Sequence, residues 1–132
     1  MKEQLNNAIA KYVTPMAEKF AFKQVNEEAY GMGALVDYVA DNLFIRIVND
    51  KGIISFEIAP KHQKDQLRDL ALYKEFLIPP KQGVWNMSLA EQTEFLTDNW
   101  NWLNQHLAQS TAPETLKKID ECATKRRKTI FG

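Results

Sequence analysis

Two histidines, His62 and His106, and a single cysteine, Cys122, carry the nucleophilic and soft metal-binding chemistry of this chain. Their spacing favours neither use. No Cys-x-x-Cys, His-x-x-x-His or His-Glu-x-x-His pattern occurs, so no metal is expected. A cysteine nucleophile needs a base within hydrogen-bond reach. Cys122 instead sits beside Ile119 and Ala123 in a helical pattern, where a lone cysteine reads as a small buried hydrophobe. Glu91, Glu94 and Asp98 share one helix and have the spacing of an acid/base pair, but a solvated acidic face near a helix N-terminus accounts for them more simply. Gly31-Met32-Gly33 lacks the following helix that a phosphate loop requires, and reads as a close approach of a neighbouring backbone. No nucleophile elbow, Walker loop or dinucleotide fingerprint is present. The expectation is a protein without catalytic residues and without a cofactor, which works by binding.

Two sets of residues suit a binding role. Asp37, Arg46 and Glu57 fall on the same side of successive strands, where Arg46 lies diagonal to both carboxylates. Phe95, Trp102 and His106 form a stripe on a helix, about a third of a turn from a second stripe of Leu89, Leu96, Trp100, Leu103 and Leu107. Tryptophan is enriched where interfaces concentrate their energy. The competing accounts are a surface ion pair for the first set and a buried core for the second.

The elements that position these residues follow from periodicity. Residues 41–58 read as two strands around an Asn49-Asp50-Lys51-Gly52 turn, with Gly52 supplying the positive φ. A four-residue loop sets Val48 opposite Ile53, Ile47 opposite Ile54, Ile45 opposite Phe56 and Leu43 opposite Ile58. Arg46 then faces Ser55 and Phe44 faces Glu57. Tyr30, Met32, Ala34, Val36 and Tyr38 alternate as a preceding strand, joined through residues 39–42 so that Tyr38 meets Leu43 and Val36 meets Ile45. Phe20, Phe22 and Val25 suggest a short earlier strand closed by an Asn26-Glu27-Glu28 turn. The result is an antiparallel meander of three to four strands, ended by Pro60.

Leu5, Ile9, Tyr12, Val13, Met16 and Phe20 place an amphipathic helix over about residues 3–19, with a kink or a fresh start capped by Thr14 at Pro15. Further helices are expected over 63–77, from a Ser88/Glu91 capping box to about Leu107, and from a Thr111/Glu114 box onward. A loop is expected at 78–83, where two prolines and a glycine cluster. The fold class is α+β: a meander packed with an N-terminal helix and C-terminal helices in one domain over 1–132.

Composition sets outer bounds. With 45% hydrophobic and 26% charged residues in 132, the chain has ordinary globular composition. One cysteine rules out an internal disulfide and fits a reducing, cytoplasmic setting. The first residues are too polar for a signal-peptide core, and no apolar run approaches the ~20 residues a membrane span needs. Lys117, Lys118, Lys125, Arg126, Arg127 and Lys128 against Asp120 and Glu121 give the last sixteen residues +4, with a basic tail over 125–132. The net charge of zero leaves −4 on the body. An acidic body does not suit nucleic acid; it suits a basic protein partner.

The N-terminal helix, the meander turning at Asn49-Asp50-Lys51-Gly52-Ile53 and the downstream helix with Trp100 and Trp102 together resemble bacterial immunity proteins of polymorphic-toxin and contact-dependent inhibition systems. The resemblance covers most of the chain as a style of assembly and transfers no individual residue. It implies a protein that binds a cognate toxin domain directly and blocks its active site or assembly, as a monomer or weak dimer. The alternatives are a type III secretion-type chaperone and a small enzyme of unrecognised class.

Overall fold

The computed structural model describes residues 2–78 and 87–131, with side chains to residue 125. The expected loop over 78–83 therefore lies, beyond Ile78, outside the described residues, as do the side chains of the basic tail from Arg126 onward.

Five antiparallel strands form one sheet in sequence order: β1 (Lys23–Tyr30), β2 (Gly33–Ala40), β3 (Leu43–Asp50), β4 (Ile53–Pro60) and β5 (Arg68–Asp69). Helices α1 (Lys2–Ala8) and α2 (Thr14–Lys19) precede it, joined by a π-helical turn over Ile9–Val13. Helices α3 (Leu70–Leu77), α4 (Leu89–Asp98), α5 (Trp100–His106) and α6 (Ala112–Phe131) follow. The α+β meander expected from periodicity is present, with one short strand more than expected.

The strands are joined by two-residue turns, and this corrects the expected register by two residues throughout. Lys51 and Gly52 both have positive φ, 53° and 91°, the signature of a type I′ hairpin whose twist matches its strands. Asp50 therefore pairs Ile53, Ile47 pairs Phe56, Ile45 pairs Ile58 and Arg46 pairs Glu57. Asp41-Asn42 likewise turns in two residues, so Tyr38 meets Ile45 and Val36 meets Ile47. A shift of two preserves the face of every side chain, which is why the apolar rows still coincide. The turn before β2 is Gly31-Met32, with Gly31 at φ 41°. Asn26, Glu27 and Glu28 accordingly lie inside β1 rather than in a turn. At Gly33 a Cβ would come within 2.7 Å of the Tyr30 ring and 3.0 Å of the Asn49 carbonyl, so the close approach expected there is real.

All described helices share one face of the sheet. Val36, Tyr38, Ile45, Ile47, Phe56 and Ile58 meet Leu5, Val13, Met16, Leu70, Leu96 and Leu103 in one buried cluster. A new α-helical segment, α2, does start at Thr14 with Pro15 in its first turn, but Val13 rather than Thr14 stands at the cap position and no side chain caps it. Pro15 cannot donate, and the chain widens by one residue: the Thr14 N–H bonds Ile9 O, five back, and the Thr14 hydroxyl donates to the same oxygen at 3.2 Å. Helix α3 starts seven residues later than expected. Arg68 and Asp69 are spent pairing β4, and the Asp69 carboxylate caps the helix by accepting from Ala71 N at 2.9 Å. Tyr73 then donates its buried hydroxyl to Ile58 O at 2.9 Å.

The Ser88/Glu91 box forms reciprocally, at 3.1 and 3.2 Å. The helix it opens is interrupted at Asn99, whose φ of −109° and ψ of 16° leave the helical region and whose side chain also donates to Phe95 O at 2.9 Å, instead of running unbroken to Leu107. Thr111 donates to Gln105 O at 2.8 Å in place of the expected capping bond. Where β5 is too short to cover β4, the buried Gln92 side chain accepts from Phe56 N at 2.9 Å and donates to Ile54 O at 3.2 Å, which satisfies that stretch of edge.

Ile45 is fully buried at the centre of this cluster. Ile45→Ala should lower unfolding free energy by about 2–4 kcal/mol in urea denaturation, with the m-value unchanged.

Candidate functional site

The face of the sheet away from the helices carries the first predicted set. Leu35, Phe44 and Ala59 on it are buried by their neighbours but lie outside the helix-packed cluster. The corrected register places Asn26, Asp37, Arg46, Glu57 and Asp69 in one row across all five strands. Arg46 is thus directly opposite both Asp37 and Glu57, not diagonal to them. Its guanidinium is committed to one side. Nε and Nη2 reach the two oxygens of Asp37 at 2.8 and 3.0 Å, and Asn26 Nδ2 adds a third bond at 3.1 Å. This fork holds the Arg46 guanidinium further above its already high ordinary pKa, chiefly through the Asp37 bond.

Asp37 is 2% exposed, so it lies behind Arg46 and offers no direct contact to a partner. Glu57 is different. It is half-buried and makes no hydrogen bond or ion pair among the described residues. Burial pushes its carboxyl above the ordinary range, Arg46 pulls it back, and Asp69 and Asp37 push it further up.

Around the row the face is apolar. Leu35 and Val48 pair in β2 and β3, and Tyr30 and Ile53 lie beyond them at 50% and 74% exposure. Met32, 62% exposed, sits at the same end, where its carbonyl accepts from Lys51 N at 3.0 Å. At the opposite end the loop after β4 brings the Lys64 ammonium to 5.5 Å from the Phe44 ring, and Arg46 lies at 5.9 Å.

The second predicted set is divided by the fold. Phe95 is 6% exposed and belongs to the core, so it is corrected from a partner contact to a packing residue. Trp102 and His106 stay together, their rings stacked at 4.2 Å and 15°. His106 Nδ1 lies 2.9 Å from Trp102 O. A carbonyl only accepts, so Nδ1 carries the proton. With Phe76, Leu77, Glu114 and Lys118 the pair lines a cleft of about 410 Å³ between α3, α5 and α6. Its neighbour Trp100 points the other way. The Trp100 ring stacks on Phe20 at 4.1 Å and its Nε1 donates to Asp41 at 3.1 Å.

A wider groove of about 660 Å³ separates the loop after β4 from α6. Arg68 crosses it to Asp120 through bonds of 2.8 and 3.0 Å, which hold the Asp120 carboxyl below its ordinary range. Periodicity alone gives Asn26, Arg68, Asp69 and Asp120 no site role. The sequence pattern places Asn26 in a turn, and Arg68 and Asp69 in the middle of a helix. Cys122 is half-buried on α6. Among the described residues no group of three or more His, Cys, Asp or Glu is placed to hold a metal, and no described helix is long and apolar enough to cross a membrane.

Two consequences are measurable. Arg46→Ala strands the Asp37 charge and should cost about 3 kcal/mol. The double variant Asp37→Ala, Arg46→Ala should cost less than Arg46→Ala alone, and a double variant that is more damaging would contradict the pairing. Glu57 has a raised pKa in the fold, so its ionisation opposes folding once pH rises above its unfolded value of about 4.3. Glu57→Gln should therefore raise Tm at pH 7, and the gain should vanish as pH falls below about 4.

Compared with known proteins, the chain matches no family model, no curated sequence and no solved structure.

Proposed function

We propose that this protein is an immunity-type inhibitor, which binds a bacterial toxin domain directly in the cytoplasm and has no catalysis of its own. One observation carries the reading: every described helix packs on one face of the sheet, while the other face presents apolar side chains around an ordered row of charges. A sheet face of that composition, with apolar side chains beside an ordered, hydrogen-bonded row of charges, has the make-up of a recognition surface. Asp37, Arg46 and Glu57 lie on strands, which hold them more rigidly than loops do.

The resemblance to immunity proteins supplies the partner class. The Trp102–His106 cleft is a second surface of the same molecule, aromatic and lined by Glu114 and Lys118.

The test is co-expression with the toxic domain encoded beside the gene. Protection of growth, with a one-to-one complex by light scattering, is the expected outcome. A dimer of this chain holding an extended segment would instead mark a secretion-type chaperone, and no protection with no complex would end the inhibitor reading. If the sheet face is the contact, Ile53→Asp should weaken the complex at least tenfold and leave the circular dichroism spectrum unchanged, because Ile53 is exposed in the free protein.

A further inference from the structure

We infer that the uncovered sheet face takes a basic, partly apolar segment of its partner, with a lysine or arginine seated over Glu57 and Asp69 and an apolar side chain against Val48 and Ile53; this rests on the inhibitor reading for its partner class but not for its chemistry. The charge row is unbalanced in a defined place. It holds three carboxylates and one guanidinium. The guanidinium is forked onto Asp37, which also takes Asn26, so the β1–β3 half of the row is internally satisfied. The β4–β5 half is not. Glu57 and Asp69 are directly opposite in register, and like charges so placed repel. Asp69 spends one oxygen on the α3 cap. Glu57 is half-buried, so a cation arriving there meets a carboxylate that has already lost much of its water.

The apolar part adjoins this site. Val48 and Ser55 form the next paired positions beside Arg46 and Glu57, with Leu35 on the far side of Val48. Ile53 and Tyr30 continue that surface to the exposed end of the sheet. A partner strand or helix alternating basic and apolar side chains matches both parts. The same sheet face of a second copy does not, because its own Glu57 and Asp69 would add like charge to the same row.

The experiment uses the whole chain and two probes: an acetylated pentapeptide amide of lysine-leucine-lysine-leucine-lysine, and its counterpart with glutamate for each lysine. Amide shifts are followed by NMR as each is added. The lysine peptide should give saturable shifts on the outer residues of β3, β4 and β5, and the glutamate peptide none. The Glu57→Gln, Asp69→Asn double variant should bind the lysine peptide at least fivefold more weakly. Asparagine keeps the α3 cap, so that variant should retain the parent spectrum away from the site. Shifts centred on Trp102 and His106, equal response to both peptides, no saturable response to the lysine peptide, or unaltered binding by the double variant would each overturn the inference. In the co-expression assay, full protection by the double variant overturns it while the inhibitor reading stands. Failure of the parent to protect overturns that reading and leaves the peptide result to be judged by itself.

Discussion

The structure depends on the two-faced alternation of β2, β3 and β4. Along each strand one set of side chains is apolar, from Val36 and Tyr38 through Ile45 and Ile47 to Phe56 and Ile58, with the buried Asn49 at the end of β3 the exception. That set must be removed from water, and helices on one side accomplish it. The same geometry sends the intervening residues to the opposite side, because successive side chains in a strand alternate. Sealing one face therefore leaves the other uncovered by any described helix.

Two hydrogen-bonded systems refine this plan. The Asp37–Arg46 fork, with Asn26, links three strands across the uncovered face and disfavours any register in which Arg46 and Asp37 are not opposite. Placing a nearly dry carboxylate there is acceptable only because its cation and amide are present. Across the sheet, the β2–β3 turn is tied to α5. Asn42 donates its backbone and side-chain N–H groups to Asn104, each at 2.8 Å, and Asp41 accepts from Trp100. With Trp100 held inward by that bond and by Phe20, the helical repeat turns Trp102 away toward the cleft it shares with His106.

The two surfaces differ in what they can do. The cleft is bounded by helices and by an aromatic stack, and it suits a small apolar group. The sheet face is broader, carries rigidly held charge and has exposed Tyr30, Met32 and Ile53 at one end. An extended protein surface matches it better than a small molecule does. At Glu57 burial raises the carboxyl pKa while Arg46 lowers it, so the fold leaves there a half-buried acid that is only partly compensated.

The sequence alone determined the fold class, the meander, the one apolar face and the assignment of Asp37, Arg46 and Glu57 to the opposite face. All of these follow from local periodicity, which needs no knowledge of distant residues. It also placed the Ser88/Glu91 cap, whose two bonds are made within four residues. The tertiary structure decided what periodicity of two cannot distinguish. A shift of two residues leaves every side chain on its face, so only the two-residue turns at Asp41-Asn42 and Lys51-Gly52 settled that Arg46 faces both carboxylates. Long-range pairing withdrew Arg68 and Asp69 from the helix their neighbours suggested. Whether Phe95 or Trp102 was buried depended on how α4 and α5 were rotated and separated at Asn99, and that rotation is set by contacts up to sixty residues away in the chain, such as Trp100 with Asp41.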